Sequence, residues 1–152
     1  MFKPTDRHFT VRRCGREEWR NFSRYHYLTG ELNNSAKCYG LYTEDGLQIG
    51  FCAVIYFPRN NGTAMKRIHR LVITPDWQGI GIGKQFVTAV AEIERKTNDV
   101  FLVTSNPAMK HALKGCGDWH CQRNSFSHDR GKEIKSSRQV KTATFVMRRK
   151  VR

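Results

Sequence analysis

Residues 69–85 read HRLVITPDWQGIGIGKQ. The apolar run Leu71 to Ile73 is halted at Pro75, and Gly79, Gly81 and Gly83 then alternate with isoleucine before a second apolar stretch begins at Phe86. The first run has strand composition. The second, through Phe86, Val87, Val90 and Ile93, has the spacing of one buried helix face from Gly83 to about Lys96. A strand that turns through glycines into a helix presents unpaired N–H groups at the positive helix end, which is a cradle for phosphate. Spacing excludes two such cradles. A P-loop anchored on Gly83-Lys84 needs glycine where Gln78 stands and a hydroxyl where Gln85 stands. A dinucleotide fingerprint begun at Gly79 needs glycine at Lys84, and one begun at Gly81 needs it at Phe86. What fits is Gln78-x-x-Gly81-x-Gly83 behind a strand ended by Pro75.

Outward from this loop the chain alternates strands and helices. HFTVRRC (8–14) predicts a first strand, and REEWRNFSRYHYL (16–28) predicts a helix with Trp19, Phe22, Tyr25 or His26, and Leu28 on one face. KCYGLYT and LQIGFCAVIYF flank Glu44-Asp45-Gly46, a hairpin signal, and Cys52 sits in the apolar pattern as a core residue. RIHRLVIT (67–74) is the strand before the loop, and VFLVTS (100–105) follows the helix. Asn106-Pro107 opens a short helix with proline where a first turn tolerates it. WHCQRNSFSHDRGKEIKSS reads as a long loop with at most one strand, and RQVKTATFVMRR as a closing strand. The order β-α-β-β-β-α-β-α-loop-β predicts one mixed α/β domain over residues 1–152.

The chain has 152 residues and a formal net charge of +14. Much of that charge lies in the basic segment 122–152, with ten Lys or Arg against Asp129 and Glu133. Such a segment suits a polyanion, nucleic acid among them, or is simply solvated. The five cysteines make no paired framework, MFKPTDRHF lacks an export-type apolar core, and no window approaches the ~20 apolar residues of a membrane span. The expectation is a cytoplasmic protein with free thiols and no membrane association. His111, Cys116, His120, Cys121 and His128 do not have zinc-knuckle spacing, and no metal is expected.

LVITPDWQGIGIGKQF resembles the acetyl-CoA-binding motif of the GNAT acyltransferase superfamily, L-x-V-x-P-x-x-[QR]-x-x-G-x-[GA], through Leu71, Ile73, Pro75, Gln78, Gly81 and Gly83. The span from RYHYL to GDW further resembles a branch known from phage proteins and from domains fused to ABC-type ATPases, with its HYL, CYG, HRLV and PD-aromatic-QGIGIG strings. The resemblance implies the GNAT fold, a mostly antiparallel mixed sheet flanked by helices and splayed in a V between two central parallel strands. It implies acetyl-CoA as co-substrate. The pyrophosphate would lie on backbone N–H groups of Gln78, Gly79, Ile80, Gly81, Ile82, Gly83 and Lys84, and the pantetheine arm along Leu71, Val72 and Ile73, with Asn106 beside it.

Amine acetylation needs a neutral amine, a stabilised oxyanion and a protonated leaving thiolate, with proximity the larger contribution. The family's general base is often a Glu two residues before the motif leucine. Here that residue is His69, and imidazole with an ordinary pKa near 6.5 can serve at neutral pH. The family's usual proton-donating tyrosine, seven residues beyond the Asn, is Leu113 here, which cannot donate; either the thiolate leaves unassisted, or His111, Cys116 or a tyrosine from elsewhere serves. His26 and Tyr27, on the segment that borders the acceptor pocket in this fold, are candidate acceptor-binding residues, and Trp77 is either a surface aromatic or a cover for the site.

The expected activity is transfer of an acetyl group to an amine, on nucleic acid or a nucleic-acid-associated protein given the charge; assembly as a homodimer is compatible with the sequence. A polyamine acceptor is disfavoured by like charge. The competing readings are a CoA- or nucleic-acid-binding module without transfer activity, and a DNA base-modifying enzyme of the phage Mom type, whose HY…GLY…RL layout this chain echoes.

Overall fold

The computed structural model describes residues 7–26, 31–125 and 142–150. The elements are β1 (Thr10–Arg13), β2 (Lys37–Tyr42), β3 (Gln48–Pro58), β4 (Ala64–Ile73), α1 (Ile82–Glu94), β5 (Val100–Thr104), α2 (Pro107–Lys114), β6 (His120–Ser125) and β7 (Thr142–Met147). They form one seven-stranded sheet in the order β1-β2-β3-β4-β5-β7-β6. Only the central pair β4–β5 is parallel. The expected mixed α/β sheet, mostly antiparallel around one parallel pair, is present, and the hairpin at Glu44-Asp45-Gly46 and the helix opening at Pro107 fall where the sequence puts them.

Two helical expectations are corrected. The segment expected as one helix over 16–28 is a pair of 3-10 turns, Arg16–Asn21 and Ser23–Tyr25. Trp19, Phe22 and Tyr25 are three residues apart, which matches the tighter 3-10 repeat, and no side chain caps either turn. Trp19 and Phe22 are buried with Leu32, Phe51, Ala53 and Val72 in a cluster of their own. Along α1, Phe86, Val87 and Val90 are buried, each worth about 1.5–3 kcal/mol of apolar transfer. Ile93 is not: it is 40% exposed, and the buried neighbour is Glu94, 2% exposed. Glu94 accepts from the Tyr39 hydroxyl and pairs with Lys66, with Lys37 Nζ 3.3 Å away. Leu28, Tyr27, His128 and most of the long basic loop lie outside the described residues.

The two features of the sheet that matter for function both lie in β4. Pairing with β5 is confined to Lys66–Val100 and Arg67–Phe101, after which the strands part and leave a V. The apex is pinned by Lys66 N–H donating to Asp99 O at 2.9 Å, by the Lys66–Glu94 pair and by Asn98 Nδ2 donating to Ala64 O at 3.2 Å. Against β3, Ile68 pairs with Val54 while Arg70 pairs with Ala53, so His69 is the extra residue of a β-bulge. The bulge shifts the in-out alternation by one, so that Arg67 and Arg70 fall on the same sheet face instead of opposite ones.

The sheet's closing strand, β7, pairs with both β5 and β6. Beyond it, Arg148 pairs with Asp99 at 3.2 Å and Arg149 N–H donates to Asp99 Oδ1 at 2.6 Å, so the basic C-terminal residues dock on the turn between α1 and β5. Among the described residues no helix is long and apolar enough to cross a membrane, and no cluster of three or more His, Cys, Asp or Glu is placed to hold a metal.

Candidate active site

The glycine loop is built by backbone conformation. Pro75–Trp77 makes a 3-10 turn, and Gly79 and Gly81 both have φ of +83°, a region closed to most L-residues. Gly81 is the N-cap of α1. Neither glycine has a heavy atom within 4 Å of where a Cβ would stand, so conformation, not crowding, demands them. Gly83 is different: a Cβ there would stand 3.3 Å from Met109 Cε, so its smallness lets α2 approach α1.

Among the described residues, no acceptor takes the N–H groups of Gly79, Ile80, Gly81, Ile82, Gly83 or Lys84; the first bond of the turn is Gln85 N–H to Gly81 O. Gln78 departs from the expected role. Its N–H is spent on Pro75 O at 3.2 Å, and its side-chain Nε2 donates to Ile73 O at 2.8 Å. Gln78 is therefore a latch that ties the loop to the end of β4, and the run of unpaired loop N–H groups begins at Gly79.

A cavity of about 470 Å³ opens on this loop. It is lined by Leu71, Val72 and Ile73, by Gln78, Gly79, Gly81, Gly83 and Lys84, and by Asn106. The isoleucines point elsewhere: Ile80 is 41% exposed, and Ile82 is buried in the main core. Asn106 also caps α2, its Oδ1 accepting from Met109 N–H at 3.1 Å. Unpaired N–H groups, a lysine and an adjoining apolar cleft together fit a pyrophosphate carrying a long arm.

A second cavity, of about 190 Å³, occupies the V between β4 and β5 and is lined by Arg67, His69, Arg70 and Thr104 among others. The two cavities share His26, Leu71, Asn106 and Met109. His69 thus stands on one side of the junction and the glycine loop on the other. His26 lies at the junction, with its ring 5.7 Å from Trp19. Tyr27 lies outside the described residues.

The state of His69 is set by its neighbours. Burial first, then the charges of Arg70 and Arg67, and then His26, lower its pKa to about 4, so it is neutral at physiological pH. Arg70 Nη1 lies 3.3 Å from His69 Nδ1 and also donates to His69 O at 2.9 Å. A guanidinium can only donate, so Nδ1 is the acceptor and the ring's single proton sits on Nε2, which is buried and has no partner.

Of the substitutes for the missing tyrosine, His111 is exposed, Cys116 donates to Asp118 at 3.6 Å, and neither lines either of these two cavities. Leu113 itself is fully buried in the core. Tyr25 does line the larger cavity, beside Val72 and Met109. Trp77 packs edge-on against Phe9 at 5.8 Å and under Arg7 at 5.1 Å and does not line the cleft. Tyr25, Arg67 and Arg70 are the site residues that sequence reading missed. The only signals available were the adjacency of Tyr25 to His26 and of the arginines to His69.

A parallel pair that splays after two residues, with a glycine loop of unpaired N–H groups at its mouth, is the arrangement expected from the resemblance. The sequence profile described as acetyltransferase (GNAT) domain matches residues 34–114, and the chain belongs to that family. Acetyltransferases of this family use acetyl-CoA. Among solved structures, a spermidine/spermine N-acetyltransferase from Vibrio cholerae in mutant forms is similar with a TM-score of 0.67 at 13% identity, over 91% of this chain and 92% of that one. The spermidine N-acetyltransferase from the same organism, in complex with CoA and spermine, matches with a TM-score of 0.66 at 14% identity, over 93% and 95%. The ribosomal-protein-S18-alanine N-acetyltransferase from Escherichia coli matches with a TM-score of 0.62 at 12% identity, over 95% and 96%. At these identities the likeness is one of fold. No curated protein matches the sequence.

Proposed function

We propose that the protein is an acetyl-CoA-dependent N-acetyltransferase acting on an amine. One observation carries the reading: the unpaired loop N–H groups and His69 border two cavities joined at Leu71, Asn106, Met109 and His26. The N–H groups of Gly79–Lys84 and the Lys84 ammonium would hold the pyrophosphate, and the edge of β4 that has parted from β5 would run beside the arm. Acetyl-CoA supplies an acetyl thioester when bound. The chain's main contribution is to bring two reactants together in the V between β4 and β5, which is the larger part of the rate enhancement. His69 receives the proton that the amine nitrogen gives up once Nδ1 is released by Arg70; until then it can only donate from Nε2. Tyr25 returns a proton to the departing sulfur, so the proton count is conserved. The strings Cys38-Tyr39-Gly40, His69-Arg70-Leu71-Val72 and Pro75-Asp76-Trp77-Gln78 support placing the chain in the phage and ABC-ATPase-associated branch.

The test is calorimetry with acetyl-CoA followed by thiol-release assays over a panel of amines, nucleic acids included. Binding with turnover is expected. Tight binding with no thiol release on any acceptor would leave a CoA-binding module without transfer activity. Within the enzyme, His69→Ala and His69→Gln are both expected to lower kcat by about a hundredfold with unchanged acetyl-CoA affinity. A glutamine variant as active as the parent would remove proton uptake from the role of His69.

The +14 net charge supports a second, finer reading in which the acceptor amine lies on nucleic acid. Arg148 is already paired with Asp99, so the informative variant is Arg149→Gln with Lys150→Gln. If those side chains meet phosphates, the slope of log affinity against log salt should fall by about 1.5–2 with no change in Tm. Full-length protein that ignores DNA and RNA at low salt contradicts this reading.

A further inference from the structure

Among the described residues no carboxylate balances the positive charge at the acceptor end of the site. Arg67 and Arg70 both line the 190 Å³ cavity. Among the described residues neither has a carboxylate partner, and no Asp or Glu lines either cavity. Arg67 Nε and Arg70 Nε, like His69 Nε2, are buried without a hydrogen-bond partner. Donors on a cation that are withdrawn from water and left unpaired are costly, and such groups are ordinarily found against an anion. The bulge at His69 assembles this arrangement: without the extra residue, Arg67 and Arg70 would project from opposite faces of the sheet.

We propose that the acceptor is an amine that also carries an acidic group, a carboxylate or a phosphate, which Arg67 and Arg70 hold so that the amino group faces His69. This rests on the acetyltransferase reading and adds the substrate class to it. The anion is distinct from that of the donor, because the loop N–H groups and Lys84 border the other cavity, beyond the shared Leu71. At about 30 Å³ per water the smaller cavity holds roughly six waters, the volume of an amino-acid-sized head group. A polyamine would bring further positive charge to two guanidiniums that have no carboxylate partner among the described residues, and is disfavoured. An acidic acceptor also offers Arg70 a stronger partner than His69 Nδ1. Pairing with it releases that nitrogen and offsets the Arg70 and Arg67 charges, which after burial do most to lower the ring's pKa; burial and His26 still act in that direction. His69 becomes a competent base when the right acceptor is present.

The test uses the full chain with matched acceptors: β-alanine against its amide, O-phosphoethanolamine against ethanolamine, and spermidine as the polycation. Acetyl-CoA binding is first measured alone by calorimetry. The acidic member of at least one pair is expected to exceed its neutral twin by about ten- to a hundredfold in kcat/KM, and which pair does so separates carboxylate from phosphate. Arg67→Gln and Arg70→Gln should erase the preference mainly through KM, Arg70→Lys should keep part of it, and acetyl-CoA affinity should be unchanged in all three. In the parent, the His69 imidazole resonance should titrate at higher pH in the presence of the preferred acid, and this rise should be absent in Arg70→Gln. No acetyl-CoA binding overturns the acetyltransferase reading and the inference with it. Acetyl-CoA binding with no advantage for either acidic member, or an advantage that survives both glutamine variants, overturns the inference alone.

Discussion

Replacing Glu94 by alanine is expected to destabilise the fold by about 3–5 kcal/mol, read as a lowered urea midpoint at unchanged m-value. The carboxylate is 2% exposed and joins three elements: it accepts from Tyr39 on β2, pairs with Lys66 on β4, and lies 3.3 Å from Lys37 Nζ, all from the last residue of α1. Alanine leaves the half-buried Lys66 ammonium and the Tyr39 hydroxyl without their acceptor, and removing one member of a buried pair is the costly operation. The effect reaches the site because Lys66 is one of only two β4 residues paired with β5, at the apex from which the V opens. Glu94→Gln keeps the shape and an oxygen for Tyr39 but not the charge for Lys66, and about half the loss is expected. An alanine variant within about 1 kcal/mol of the parent would show that the network is mere neighbourhood.

The same network fixes the sign of an acid dependence. Burial alone would raise the Glu94 pKa, but the hydrogen bonds from Lys66 and Tyr39 and the charges of Lys66 and Lys37 more than offset it and hold it below 4.5. A carboxyl with a lowered folded-state pKa binds protons more readily when unfolded. Its contribution is therefore complete above about pH 4.5 and is lost as pH falls through the lowered value. The parent should lose stability on acidification through that range more steeply than Glu94→Gln.

Much of this architecture was legible in the chain because local chemistry and tertiary demand agree there. Gly46 with φ of +83° closes the hairpin its neighbours announce, and Asn106 caps the helix that Pro107 opens. The run from Leu71 to Lys84 could be read because glycines at two positive-φ positions leave little alternative. The illegible parts are those decided by distant partners. Ile93 and Glu94 are both helical neighbours of Val90, and hydrophobicity favours Ile93; the choice went to Glu94 because Tyr39 and Lys66, far away in sequence, face it. The bulge at His69 is a register shift against β3 with no compositional mark. Without it, Arg67 and Arg70 read as alternating surface residues. His69 is singled out by its place before the motif leucine, but its protonation state is not, since that depends on the contact of Arg70 with Nδ1.

Gly81→Val is expected to abolish most acetyl-CoA binding while leaving the fold nearly intact, and the separation of the two effects is what makes it informative. Gly81 has φ of +83° and ψ of 4° with open space where a Cβ would go, so the penalty is conformational and not steric crowding by neighbours. For an L-residue that conformation costs about 1–2 kcal/mol, more for a β-branched one, and an exposed loop escapes the strain by rotating. Rotation scatters the unpaired N–H groups between Gly79 and Lys84. Each charge-assisted hydrogen bond to a phosphate is worth about 1.5–3 kcal/mol, so losing two lowers affinity by roughly a hundredfold or more. The loop's tether, Gln78 Nε2 on Ile73 O, is independent of residue 81, and the core residues of α1 stay buried, so Tm should move little. Asparagine enters the left-handed region far more readily than valine. Calorimetry should therefore rank acetyl-CoA affinity as glycine, then asparagine, then alanine, then valine. Valine binding as tightly as glycine would mean that the phosphate is held elsewhere and that the cradle from Gly79 to Lys84 is a turn without a ligand.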